Sequence, residues 1–146
     1  MKIKNLIPLI ITLSFFTACE EKAEPIIMKK SNLMTPLPCL KLATLQKESE
    51  IINHLQELYP FKKSCDYTLT LSYKKDILCN SSHNIALKTT GKFPKSFVKI
   101  EVHKGLTSIY SYYVDLYSNV DNDDVEEGFQ QLKEDLLISQ DKEILK

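Results

Sequence analysis

The stretch FVKIEVHKGLTSIYSYYVDLY, residues 97–117, decides the fold. Successive side chains of a strand point to opposite faces, and residues 97–102 keep to that period. Val98, Ile100 and Val102 fall on one side, and Phe97, Lys99 and Glu101 on the other. Residues 106–117 form a second run rich in tyrosine, isoleucine and valine, the types that suit a pleated, half-buried surface. Between the runs, His103-Lys104-Gly105 suits a three-residue hairpin loop with Gly105 in the left-handed conformation. In that register Val98, Ile100 and Val102 share a face with Tyr110, Tyr112 and Val114. A two-residue loop would slip the pairing by one and turn the second strand over. The hairpin predicts an antiparallel sheet with one apolar face. The other face then carries Ile109, Tyr113 and Tyr117 beside Phe97, Lys99, Glu101 and His103.

Working outward, residues 65–73 alternate as well, with Cys65, Tyr67, Leu69, Leu71 and Tyr73 against Asp66, Thr68, Thr70 and Ser72. Lys74-Lys75-Asp76 is a polar turn, and residues 77–80 read as a returning strand. Residues 81–94 are a loop or a short helical turn. Before these strands, residues 44–59 carry apolar side chains near the helical period, with Thr44 as N-cap and Pro60 as stop. After them, Val125, Phe129, Leu132 and Leu136 make an apolar stripe at i, i+4, i+7 and i+11. Asp123 with Glu126 resembles a capping box, and Gly128 within the stripe implies close approach of helix and sheet. Helix, strands, strands, helix, without a crossover pattern, predicts an α+β domain: an antiparallel sheet of about four strands with both helices on one face.

Nineteen lysines balance nineteen acids, and no arginine occurs. A neutral chain without arginine argues against nucleic-acid binding, which relies on a basic surface and on bidentate guanidinium contacts. The neutrality is uneven. From Tyr113 onward ten acids face three lysines, so a basic front precedes an acidic C-terminal helix.

Lys2 and Lys4 precede an apolar run over residues 6–18, the layout of a secretory signal. The run is shorter than the roughly 20 residues a spanning helix needs. It ends Phe16-Thr17-Ala18-Cys19, which resembles the lipobox of bacterial lipoproteins, with Phe16 where leucine is usual. The resemblance implies cleavage before Cys19 and acylation of Cys19, and so a membrane partner through its lipids. Glu20 in place of aspartate after the cysteine resembles the outer-membrane sorting pattern. Residues 19–38, with Pro25, Pro36 and Pro38, read as a flexible tether with an r.m.s. reach of roughly 25 Å. The alternative is that Ile26, Ile27 and Met28 dock onto the domain. Residues 39–146 are the single periplasmic domain.

With Cys19 acylated, Cys39, Cys65 and Cys79 remain. A tight hairpin after residue 73 puts Cys79 far from Cys65, and an antiparallel run beside the first helix brings it toward Cys39. Cys39–Cys79 is the favoured bridge, with Cys65 a buried thiol; Cys39–Cys65 requires another packing, and Cys65–Cys79 an irregular hairpin. Cys65, Cys79 and His83 compose the alternative of a thiol or metal site. The acids of residues 121–127 miss the EF-hand pattern, because Val125 and Glu126 stand where a ligand and a glycine belong, and they suit a helix N-terminus. No nucleophile elbow or glycine-rich phosphate loop occurs. The expectation is a non-enzymatic, lipid-anchored envelope protein without a cofactor. It would bind an envelope or secreted protein through Phe97, Ile109, Tyr113 and Tyr117, as an assembly or accessory factor, or as an inhibitor or immunity lipoprotein.

Overall fold

A computed structural model describes residues 22–44, 49–77 and 93–138. In chain order these form β1 (Ile26–Lys29), β2 (Lys41–Ala43), α1 (Glu50–Leu58), β3 (Tyr67–Lys74), β4 (Ser96–Lys104), β5 (Thr107–Leu116) and α2 (Asn122–Leu136). The class is α+β. Among the described residues the sheet has five strands in the order β1-β5-β4-β3-β2, and β2 lies parallel to β3, so the sheet is mixed. That corrects the expectation of a purely antiparallel sheet of about four strands. β2, α1 and β3 form a crossover unit that the sequence conceals, because a three-residue strand is too short to show a period.

The hairpin keeps the expected shared face but not the expected loop or pairing. Lys104 pairs with Thr107, so the loop is only Gly105-Leu106, with Gly105 at φ +59°. On its own that loop would turn β5 over. A bulge between the His103–Ser108 and Val102–Tyr110 pairs makes Ile109 an extra residue and restores the shared face, with Ile100 opposite Tyr112 and Val98 opposite Val114 in place of the pairs a 103–105 loop would give. The intended apolar face survives: Val98, Ile100, Val102, Tyr110, Tyr112, Val114 and Leu116 are all buried.

α2 lies across that face. Gly128 permits the approach: a Cβ there would stand 2.7 Å from a ring carbon of Tyr112 and 3.0 Å from Ile100. Val125, Phe129, Leu132 and Leu136, the expected stripe, are fully buried. The cap is Asp121, not Asp123. Asp121 Oδ1 accepts from the Asp124 N–H and Asp124 Oδ2 from the Asp121 N–H, both at 3.1 Å. This choice leaves Val120 before the cap and Val125 at the fourth helical position, both buried as in a hydrophobic staple.

α1 is shorter than its periodicity suggested. Ser49, not Thr44, is its cap, with Oγ accepting from the Ile52 N–H at 3.1 Å; residues 45–48 lie outside the described residues. It ends at Leu58 because Tyr59, held extended before Pro60, cannot continue it. Ile51, Ile52 and Leu55 join the same core as the sheet, and Tyr59 and Phe61 meet Phe129 at 6.0 Å between ring centroids.

The residues read as a tether belong to the fold from Lys22 onward. β1 pairs antiparallel with β5, Ala23 N–H donates to the Asp115 carbonyl at 2.9 Å, and Leu37, which is buried, donates its N–H to the Leu136 carbonyl at 2.7 Å. The pairing is carried by backbone groups, so the four exposed side chains of β1 show no alternation to read. The expected strand at 77–80 falls, beyond Ile77, outside the described residues, as do most of 81–94 and the tail after Ile138.

Candidate functional site

The described elements leave one face of the sheet without a helix. Phe97 of β4 and Tyr113 of β5 stack there, with centroids 5.7 Å apart and ring planes at 28°. β-strand alternation brings them to the same side, and the diagonal offset across the ladder sets their overlap. Tyr113 donates its hydroxyl to Asp115 Oδ1 at 2.7 Å, and Lys99 and Glu101 form an ion pair at 3.0 Å on the same face. Tyr117, half-buried, lies just past the end of β5. The expected fourth member, Ile109, is absent from this surface. As the bulged residue it leaves the alternation and is buried beside Tyr110.

β1 extends the face in a way the sequence reading left open. Ile26 lies opposite Tyr113 and Met28 opposite Ser111, so their side chains share that face, at 63 % and 64 % exposure. Lys29 points the other way and donates from Nζ to the Asp135 carbonyl of α2 at 2.7 Å. Lys22 forms an ion pair with Glu127, which ties the approach to β1 onto α2. The signal that could have found β1 was the IIM triplet at 26–28, three large apolar residues in an otherwise polar segment. A groove of about 260 Å³ between β1 and the hairpin is lined by Met28, Lys29, Lys30, Ser108 and Ile109. Chemically the region offers aromatic and apolar contact, hydroxyls and lysine ammonium groups.

The tyrosines of β5 resist ionisation. Burial, with the charges of Glu127 and Asp124 adding to it, pushes Tyr112 up to about 12. Burial and then the bond to Asp115 push Tyr113 up to about 12, and burial with the Asp135 bond raises Tyr110 further. Their folded values exceed the ordinary phenol value of 10, so the folded chain keeps protons that the unfolded chain loses first. Stability from this source is complete below about pH 10 and falls as pH rises toward 12. Phenolate absorbance should therefore show late-titrating tyrosines whose ionisation coincides with loss of the helical circular dichroism signal. Seven tyrosines titrating together near pH 10 with the fold intact would contradict it.

The cysteines come together differently from the favoured pairing. Cys39 is bonded to Cys65, with 6.1 Å between their Cα atoms. The parallel register that sets Lys41 beside Thr68 brings the two segments of the chain side by side just ahead of both strands, and Cys39 and Cys65 sit there. Cys79 and His83 lie outside the described residues. With its sulfur in a disulfide, Cys65 has no thiolate to offer the alternative thiol or metal site. Among the described residues no three His, Cys, Asp or Glu side chains gather as metal ligands. His54 Nε2 lies 3.2 Å from Glu126 Oε2, linking α1 to α2.

Comparison with known protein families, with curated proteins and with solved structures finds no match to this chain.

Proposed function

We propose that this chain is a lipid-anchored protein of the cell envelope, acylated at Cys19, that acts without catalysis by binding another protein through the open sheet face. The observation that carries the binding reading is the Phe97–Tyr113 stack beside the Lys99–Glu101 pair, on a face that α1 and α2, the helices among the described residues, do not occupy. Aromatic side chains flanked by mixed charge are the composition of protein-binding patches, where rigid rings supply contact area at small entropic cost. The lipobox-like end of residues 16–19 supports the anchor. Several acyl chains give stable attachment where one is marginal.

A photocrosslinking amino acid in place of Tyr113, introduced in living cells, tests the reading. A discrete adduct with an envelope protein is expected from that position. None is expected from Glu57, exposed on α1. The adduct from position 113 should fade when Phe97 is changed to Asp. A toxin or hydrolase in the adduct would make the protein an inhibitor, and no adduct from positions 97, 113 and 117 would overturn binding at this face.

A further inference from the structure

The exposed large hydrophobic side chains are not scattered. Among the described residues they are Ile26, Ile27, Met28, Met34, Leu106 and Ile138. Three lie on the edge strand β1 itself. The rest follow or precede, within a few residues, segments that the end of β1 touches. Lys30 N–H donates to the Ile109 carbonyl three residues from Leu106, Met34 follows four residues on, and the Lys29 ammonium bonds the Asp135 carbonyl three residues before Ile138. The β1 edge is thus apolar at Ile26, Ile27 and Met28. Lys30 stands at its end and Glu24 at its start, while Lys29 turns to the Asp135 carbonyl of α2.

This edge begins next to the anchor. Lys22 bridges to Leu116, so the chain is already part of the sheet three residues after Cys19. Three residues span at most about 10–11 Å even when fully extended. The reach of roughly 25 Å that a free tether would have is therefore unavailable. An acylated Cys19 holds the β1 edge at the headgroup layer. There apolar side chains gain by partial insertion, and lysines gain from anionic phosphates.

We infer that the β1 edge is a membrane-docking surface: Ile26 and Met28 on one side of the edge strand and Ile27 on the other rest in the bilayer interface, and Phe97 and Tyr113 on the inner strands β4 and β5 stand beside the membrane to meet a protein partner. The inference rests on the lipid-anchor reading. Its occupant is the lipid surface, because the apolar edge, Lys30 at its end and the short distance to Cys19 coincide.

The chain contains no tryptophan, so a single introduced indole reports its own position. Full-length lipidated Met28→Trp and Glu57→Trp would be placed in phosphatidylethanolamine–phosphatidylglycerol vesicles carrying brominated phosphatidylcholine. Both positions are exposed, which keeps the core out of the test. Intact mass first establishes acylation of Cys19. On acylated protein, loss of emission and a blue shift for Met28→Trp, with Glu57→Trp unaffected, is the expected result. Equal emission from the two, quenched or not, overturns the docking surface while leaving the anchor standing. An unacylated Cys19 overturns the anchor, and the docking surface with it.

Discussion

Phe129→Ala is expected to lower the free energy of unfolding by about 3–5 kcal/mol, as truncation of a fully buried aromatic ring does. Phe129 has no exposure and sits where α2, the end of α1 and the following loop meet, against the paired rings of Tyr59 and Phe61. Its removal deletes an edge-to-face contact with Tyr59 and a tilted ring contact with Phe61, and leaves a cavity in the core. Domains of this size are stable by about 5–15 kcal/mol, so the loss takes a large share. Urea denaturation followed by circular dichroism measures it. Ile26→Ala, on an exposed strand, serves as the contrast and should change stability by less than about 0.5 kcal/mol. A cost below 1 kcal/mol for Phe129→Ala would mean that the aromatic junction is not packed as described.

Replacing Cys39 and Cys65 together by serine should cost about 3–4 kcal/mol, the loop-closure entropy of a bridge across 26 residues. The effect has a local target. β2 is three residues long, and the bridge closes immediately before both β2 and β3. It holds the crossover unit at the point where backbone pairing is weakest. Hydrogen exchange should show β2 losing protection first in the double variant. Digestion without reduction should yield a peptide pair containing Cys39 and Cys65. A pair containing Cys39 and Cys79 would overturn the bridge, and unchanged stability would show that it contributes nothing to the fold.

Two kinds of feature were legible before the structure. The buried faces of β3, β4, β5 and α2 could be read because burial imposes a period, and Leu69, Leu71, Val98, Ile100, Val102, Phe129 and Leu132 keep to it. Gly128 could be read because glycine in a helix interior costs stability and so points to a close contact, here with Tyr112 and Ile100. Phe97 and Tyr113 were placed on the open face by the same alternation. Ile109 was misplaced by it: the shared face came out as expected, but the turn lies farther along the chain at Gly105-Leu106 and a bulge restores the face, so the pairing differs and the bulged side chain leaves the alternation.

By itself, then, the sequence determined which residues face the core and the α+β class, since both follow from local spacing of apolar side chains. Tertiary structure alone decided that residues read as a tether form an edge strand, that β2 lies parallel to β3, that Cys39 meets Cys65, and that Asp121 rather than Asp123 caps α2. The physical reason is common to the first three. They depend on which backbone lies beside which, a choice made by hydrogen-bonding groups that every residue carries alike.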